Sequence, residues 1–422
     1  MVDYCPTDIS NNPSCPHGPS VLFCKKNSSR KFFACSAYRS RKRCPFFLWE
    51  DDLKKQKQAT KNLTSQFEFR KLEKLTELPN QDRNWCHCCE LLFPAKEKLQ
   101  HNKHKTEIAL SDEVLSQPSM LFTPKEESKE ESQYYFSDTV VTTIVGFLRN
   151  LNVTSVICLG CPRLHEYILR NNVMKSMLLD IDTRYVKFYN PDEFQPFNMF
   201  NSHAFDVNGW INIERFVTDS NKIAIIADPP FGGQTDPLAY TFKRLESLTK
   251  DNNVIEFLIL PYFMEPFVLK SFPNFSMLDY KVVYVNHRKF KKLDSLTGSS
   301  KSAVRIFTNV EPSKFKLPED EYKYCSVCDR WVCKENQHCD KCNACTSKNG
   351  AAYKHCNLCE KCVKNTWKHC DICGFCKLIE HRCTPALNKK VKENNIIKRK
   401  IKSPKKKKNK KARRNQNNGN QV

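Results

Sequence analysis

Asp228, Pro229, Pro230 and Phe231 stand in a row and bring together a carboxylate, backbone carbonyls and an aromatic plate. The Asp228 carboxylate and the Pro229 carbonyl are both hydrogen-bond acceptors. Together they suit the two hydrogens of an exocyclic NH2 group, while the Phe231 ring can stack on the flat heterocycle that carries it. A bare Asp-Pro-Pro would read as a proline turn. The aromatic that follows, and the apolar run that precedes, favour a binding site.

That run, Ile223 to Ala227, reads as a buried strand, and the two prolines, which have no N–H for a ladder, must end it. In open α/β sheets ligands bind outside the carboxyl ends of the strands. An α/β domain is expected over residues 134–317, with helices between strand candidates at Ser155–Leu159, Met177–Ile181, Ile223–Ala227, Phe257–Leu260, Tyr280–Val285 and Val304–Thr308. The first candidate ends at Gly160, and Arg163, Leu164, His165 and Glu166 open the helix after it, where a Rossmann-like domain receives its cofactor. No G-x-G-x-x-G fingerprint stands there, which disfavours a dinucleotide; a cofactor derived from methionine has no pyrophosphate to cradle. Asp182, after the second candidate, is preferred to Asp180 as acceptor for the two ribose hydroxyls, with Arg184 beside it; a helix cap is its plain alternative. Asn201, in Phe197-Asn-Met-Phe-Asn201-Ser-His203, is placed near the cofactor's adenine. Tyr262 is read as a further pocket wall or as ordinary core. The basic stretch His287 to Lys301 is read as a loop that gates the pocket, grips phosphate or simply moves.

The chain has 422 residues, a net charge of +23 and only 10 glycines. That charge suits a polyanionic partner, nucleic acid first. The amino terminus shows no basic start or apolar core of a signal, and no apolar run is long enough to span a membrane. A soluble protein of a reducing compartment is expected. Residues 53–80 and 111–133 are polar and read as spacers.

The 23 cysteines cluster in pairs spaced for zinc, not for mutual disulfides. Residues 13–52 offer Cys15, His17, Cys35 and Cys44, with Arg30, Lys31, Phe32, Phe33, Phe46, Phe47 and Trp49 interleaved as stacking on unpaired bases would need. Half of these aromatics are expected to be core. Residues 84–106 offer Cys86, Cys89, His101 and His104, although the gap between the histidines is short and His87 or Cys88 stands ready as a substitute. From residue 322 to 384 the unit His-Cys-x-x-Cys-x-x-Cys recurs. Interlocked sites would then be Cys325, Cys328, His338 and Cys345; Cys339, Cys342, His355 and Cys362; Cys356, Cys359, His369 and Cys376; and, with broken spacing, Cys370, Cys373, His381 and Cys383. About five or six zinc ions are expected in all. Cys24 and Cys333 are left over. Residues 385–422 form a basic, low-complexity tail ending Lys405-Lys-Lys-Lys-Asn-Lys-Lys-Ala-Arg-Arg414, expected to be disordered, to grip phosphate and to serve as a nuclear address.

Asp228-Pro-Pro-Phe resembles the signature of amino-group methyltransferases that use S-adenosylmethionine. Residues 13–52 resemble a GRF-type zinc finger, associated with single-stranded nucleic acid. Cys325 to Cys362 resembles the cysteine-rich scaffold of DHHC palmitoyltransferases, but Tyr353-Lys-His355-Cys356 stands where Asp-His-His-Cys would be. Val156-Ile-Cys-Leu-Gly-Cys-Pro-Arg-Leu-His-Glu166, Leu179-Asp-Ile-Asp-Thr-Arg-Tyr185, Phe197-Asn-Met-Phe-Asn201 and Asp228-Pro-Pro-Phe-Gly-Gly233, with the zinc modules in matching order, resemble the zinc-finger family of rRNA adenine N6-methyltransferases over roughly residues 13–385. The family's Cys-x2-Cys-x4-His-x4-Cys knuckle is not found after Cys383. The resemblance implies a Rossmann-like class I methyltransferase core flanked by small zinc modules, S-adenosylmethionine as cofactor, large-subunit rRNA as partner, and work in the nucleus and nucleolus, with the cytoplasm as a second place. Two other readings stand beside it: a zinc-rich RNA-binding scaffold with an inactive core, and an adenine or cytosine methyltransferase on another nucleic acid.

Overall fold

A computed structural model describes residues 2–5, 9–25, 30–38, 41–55, 67, 76–125, 133–250, 253–287 and 302–383. The basic loop beyond His287 and the tail from 385 lie outside these residues. The chain divides into two compact units, Met1–Ala352 and Tyr353–Val422.

The first unit is built on an eight-stranded sheet. Its strands are β1 (Ser155–Leu159), β2 (Lys175–Asp180), β3 (Phe194–Asn198), β4 (His203–Ala204), β5 (Ile223–Ala227), β6 (Ile255–Pro261), β7 (Ser276–Met277) and β8 (Val304–Thr308). Their spatial order is β4-β3-β2-β1-β5-β6-β8-β7. The run from β3 through β6 is parallel. β8 enters antiparallel between β6 and β7. Every residue of β1, β3, β5, β6 and β8 is buried, as strands covered on both faces require.

Helices α1 (Asp138–Asn150), α2 (Pro162–Arg170), α3 (Gly209–Thr218), α4 (Thr235–Glu246) and α5 (Glu265–Ser271) supply the covers. Val140, Ile144 and Leu148 of α1 recur at helical spacing and join Leu164 and Ile168 of α2 in one core. Ile213, Leu238, Phe242 and Val268 close the other face. Strand order reverses at β1, between β2 and β5, which makes the carboxyl edge there the ligand crevice of a doubly wound sheet.

Several expectations shift. β3 occupies Phe-Gln-Pro-Phe-Asn, which no strand candidate covered. Residues Tyr280–Val285 are not a strand; they run beside β8, with Val282 N–H donating to the Val304 carbonyl at 3.1 Å, and Tyr284 makes an isolated bridge to Phe136. The polar stretch read as a spacer from 111 holds two short helices, Asp112–Leu115, capped by the Ser111 side chain, and Pro118–Leu121. Leu115, Leu121 and Phe122 are buried in the domain core, so this stretch is part of the fold.

The first finger is a four-stranded antiparallel sheet of Val2–Tyr4, Val21–Lys25, Lys31–Ala34 and Phe47–Trp49. The second is a three-stranded sheet of Leu91–Pro94, Arg83–Cys86 and Thr106–Glu107. Within the second unit, Tyr353–Cys356 pairs with Lys361–Lys364, and Trp367–Cys370 pairs with Phe375–Leu378. No helix among the described residues is long and apolar enough to cross a membrane.

Candidate active site and metal centres

Register decides what meets at the crevice. Leu159 of β1 pairs with Leu179 of β2 and with Ala227 of β5. β1 and β5 therefore end in step, and the residues that follow them, Gly160 and Asp228, lie level with Asp180, the last residue of β2. The ladder continues one step further: Gly160 N–H donates to the Leu179 carbonyl at 3.0 Å and Asp228 N–H to the Leu159 carbonyl at 3.1 Å. Gly160 adopts φ +70°, where a side chain is strained, and a Cβ there would stand 2.8 Å from Met199 Cε and 3.3 Å from the Asp228 carbonyl oxygen.

The Tyr284 hydroxyl donates to Asp228 Oδ1 at 2.7 Å. Burial pushes the Asp228 carboxyl well above the usual carboxylate range, and the Tyr284 hydrogen bond pulls it part of the way back. Burial, with the Asp228 charge alongside, likewise raises Tyr284, so the proton of this pair belongs to the phenol. Pro229 is buried, and Pro230 accepts the Gly233 N–H at 2.7 Å in the turn that presents Phe231. Phe231 lies nearly parallel to Tyr134, with centroids 5.7 Å apart and planes at 25°. His287 stands 4.4 Å from the Tyr134 ring, and Tyr284 meets the edge of Phe231. The sequence pointed to the Asp228–Phe231 half of this box. It named His287 only as the start of a basic loop at the pocket, and it missed Tyr134 and Tyr284; the three come from both ends of the domain.

On the other side of Gly160 the structure redistributes the expected contacts. The Arg163 guanidinium pairs with Asp138 at 2.6 Å. Leu164 and His165 are fully buried, and His165 Nδ1 lies 2.8 Å from Ser176 Oγ. Glu166 accepts the Ser119 N–H and hydroxyl at 2.8 and 2.6 Å. Leu164, His165 and Glu166 thus serve the interior and Arg163 is taken by Asp138, so what the start of α2 offers a ligand is its backbone N–H groups. Asp182 is also fully engaged: Arg184 Nε donates to Oδ1 at 2.9 Å, Arg184 Nη2 to Oδ2 at 2.6 Å and Gln133 Nε2 to Oδ2 at 3.0 Å. Its Oδ1 also accepts the Arg184 N–H, so Asp182 caps the short helix Thr183–Lys187. Burial opposes its charge, but the Arg184 fork holds its carboxyl below the ordinary value. Asp180, at the end of β2, commits Oδ1 to the Asp182 N–H at 2.9 Å, and burial beside Asp182 pushes its carboxyl up to about 7.

Asn201 faces away from the crevice. Its amide donates to the His17 and Pro19 carbonyls of the first finger at 3.0 and 2.8 Å, and its Oδ1 accepts the His203 N–H. Asn198 donates to the His17 carbonyl and to Ser36 Oγ, both at 2.9 Å. Gly18, at φ +93°, lies against the His203 ring, where a Cβ would come within 2.5 Å. The segment expected at the cofactor's adenine is thus the seat of the finger, and Met199 between the two asparagines is the residue that reaches Gly160.

Zinc donor sets assemble in both fingers. The donor atoms of Cys15, His17, Cys35 and Cys44, and those of Cys86, Cys89, His101 and His104, lie within 4.8 Å of one another. Cys35 Sγ is 3.5 Å from His17 Nδ1; Cys86 and Cys89 Sγ are 3.4 and 3.3 Å from His104 Nδ1. A tetrahedron with ordinary Zn–S and Zn–N bonds has such an edge of about 3.5 Å. His87 turns to Glu107 and Cys88 is exposed, so neither takes a place in the second set. Cys325, Cys328, His338 and Cys345 assemble in the first unit and Cys356, Cys359, His369 and Cys376 in the second. Within the second unit His355 Nδ1 is 4.0 Å from Cys362 Sγ, Cys370 Sγ is 3.6 Å from Cys383 Sγ, and Cys373 Sγ is 3.6 Å from His381 Nε2. Cys333 is buried, its N–H on Asp279, and Cys24 lies within a strand.

Residues 127–312 match the family described as Probable N6-adenine methyltransferase, and residues 13–53 match the GRF zinc finger. The human protein rRNA N(6)-adenosine-methyltransferase ZCCHC4 is 41% identical over 370 residues, 80% of this chain and 72% of the relative. The Xenopus laevis and Mus musculus proteins of the same name are each 40% identical, over 360 and 358 residues; each alignment covers 78% of this chain, and 73% and 70% of the relatives. The chain belongs to the rRNA N(6)-adenosine-methyltransferase ZCCHC4 family. It is therefore a methyltransferase, and the crevice at Gly160 and Asp228 belongs to an N6-adenine methyltransferase domain.

In the first finger, Phe33 pairs with Leu22 and Leu48 and is buried with them, whereas Phe32 and Ala34 pair with Trp49 and Phe47 on the opposite face. There Arg30 lies 4.0 Å over Trp49 and Arg41 4.1 Å over Phe47. Phe32, Phe47, Trp49, Tyr38, Lys25 and Arg41 line a cavity of about 260 Å³. The finger thus divides its aromatics between a core and an open cationic face.

Proposed function

We propose that this chain methylates N6 of an adenosine in large-subunit rRNA. The observation that carries the reading is the register of β1, β2 and β5, which lines up Gly160, Asp180 and Asp228, with the Tyr284 hydroxyl fixing the Asp228 carboxylate. S-adenosylmethionine, when bound, supplies an electrophilic methyl group on sulfonium. The strained Gly160 turn, the N–H groups at the start of α2, and Asp180 as acceptor for the ribose hydroxyls would hold it. Asp180 takes the role that sequence assigned to Asp182, because Arg184 and Gln133 already occupy the Asp182 oxygens.

Asp228 and the Pro229 carbonyl each accept one hydrogen of the adenine amine, which turns its lone pair toward the crevice. The carboxylate also stabilises the positive charge that develops on that nitrogen. A carboxyl whose pKa burial has raised is a stronger base for the proton the amine then sheds. Phe231 stacks on the flipped base, and Tyr134, packed nearly parallel to Phe231, steadies that ring. Arg30, Arg41, Trp49 and Phe47 of the first finger hold unpaired bases beside the target. About five or six zinc ions hold the modules in shape, and the basic tail directs the chain to the nucleolus. The test is direct: purified chain, S-adenosylmethionine and rRNA, with N6-methyladenosine mapped afterwards. Wild type should mark one large-subunit adenosine and Asp228→Ala none, while both bind S-adenosylhomocysteine. Equal methylation by Asp228→Ala removes Asp228 from the mechanism.

A further inference from the structure

The second finger reaches the methyltransferase crevice through one turn. Glu90 follows Cys89 directly and lies in the left-handed region at φ 50°. Its carboxylate accepts Arg184 Nη1 at 3.1 Å, and its carbonyl accepts Lys187 Nζ. The Arg184 side chain is only 5% exposed. Besides Glu90 it donates to the Thr123 carbonyl at 3.1 Å, to Gln133 Oε1 at 3.2 Å and, through its fork, to Asp182. The Asp182 N–H in turn donates to Asp180 Oδ1 at 2.9 Å. Direct hydrogen bonds therefore run from the finger's zinc turn, through Glu90, Arg184 and Asp182, to the carboxylate at the end of β2. Trp85, one residue before Cys86, is buried against Phe122 and Phe188 and fixes the finger's seat.

We propose that Glu90 is a positioning residue for cofactor binding, and that the second finger sets the affinity for S-adenosylmethionine by holding the loop after β2 through Arg184. This rests on the reading that the cofactor lies at the Gly160–Asp180 edge. The finger is then a remote part of the cofactor pocket, and a metal bound by residues outside the crevice would govern how well S-adenosylmethionine binds. A planar guanidinium with five donors suits this relay, because it can satisfy Glu90, Thr123, Gln133 and Asp182 at once.

The experiment is calorimetry of S-adenosylhomocysteine binding to the full chain, with RNA affinity and zinc content measured on the same preparations. Glu90→Ala keeps every zinc ligand and should weaken binding about tenfold, the low end for a lost hydrogen bond to a charged group, because the Glu90 side chain is 47% exposed. Glu90→Gln keeps an acceptor oxygen and should stay near wild type. Glu107→Ala, which frees His87 on the same finger, should change nothing. Cys89→Ser should lose zinc and weaken cofactor binding at least as much as Glu90→Ala. RNA affinity should be unchanged in Glu90→Ala, and KM for S-adenosylmethionine should rise with kcat preserved at saturation. Wild-type affinity in Glu90→Ala overturns the coupling alone. A wild-type chain that binds no S-adenosylhomocysteine overturns the functional reading and the coupling with it.

Discussion

Replacing Tyr284 by Phe removes one oxygen and leaves the ring that packs against Phe231 and Tyr134. The hydroxyl donates to Asp228 Oδ1 at 2.7 Å, a short bond to a group that works as a carboxylate. A hydrogen bond to a charged group contributes about 1.5–3 kcal/mol, so the substitution should lower methyl transfer roughly 10- to 150-fold. The pH dependence gives a second, independent readout. Burial raises the Asp228 pKa and Tyr284 opposes that rise. Activity needs the ionised form, so it is present above the folded pKa and lost as pH falls through it. The acid limb of wild type should lie above the ordinary carboxylate range, and that of Tyr284→Phe higher still, by about one unit for each 1.4 kcal/mol lost. Single-turnover methylation of an rRNA fragment, measured across pH with saturating cofactor, reads both effects. A wild-type rate and an unmoved acid limb in Tyr284→Phe would refute the claim that this hydroxyl holds the Asp228 carboxylate in its working state.

Phe231→Ala should raise KM for RNA by about 5- to 150-fold, the range of one base–aromatic stack, while calorimetry finds cofactor affinity unchanged. Glu256 of β6 is buried, and burial, with Glu246 nearby, pushes its carboxyl up to about 7. The folded chain thus binds a proton there that the unfolded chain releases, so stability falls as pH rises from about 4.5 to 7; Glu256→Gln should raise stability at pH 8 by about 1–3 kcal/mol and leave it unchanged at pH 4, read by denaturant melts at both. Elemental analysis should find about five or six zinc per chain, and a folded, active chain with two or fewer would exclude the interlocked array.

The strand Ile223–Ala227 and its end were legible because an apolar run, two prolines and an aromatic are all local signals. The metal sets were legible for the same reason: Cys-x-x-Cys fixes two ligands within one turn. The structure adds that the residue after the second cysteine adopts positive φ in each knuckle, at Glu90, Asp329, Asn343, Glu360 and Gly374. Only the last is glycine, so composition did not reveal the pattern. β3 was hidden by Pro196, whose missing N–H argues against an interior strand; here its partner strand on one side is only the two-residue β4. Tyr284 lies 56 residues from Asp228, and nothing in a linear reading joins a tyrosine in an apolar stretch to that carboxylate. That the Asp182 oxygens are already occupied also turns on a distant residue, since Gln133 is 49 positions away from the carboxylate it helps to fill. The seat of the first finger was read as a cofactor contact because two asparagines look alike whether they face a purine or a backbone.

That seat sets a timetable for synthesis. The Asn198 amide is bonded to the carbonyl of His17, a residue 181 positions earlier. At about 5–20 residues per second, a ribosome takes roughly ten to forty seconds to travel that distance. The whole donor set of the first finger, Cys15 to Cys44, and its small core of Leu22, Phe33 and Leu48 emerge before any of the parallel sheet. The finger can therefore load its metal and fold before the sheet exists. If it does so, the His17 and Pro19 carbonyls are in place when β3 emerges to receive Asn198 and Asn201. A cell short of zinc would meet the shortage at this early step, and the large domain would be completed with two buried amides and no finger to receive them.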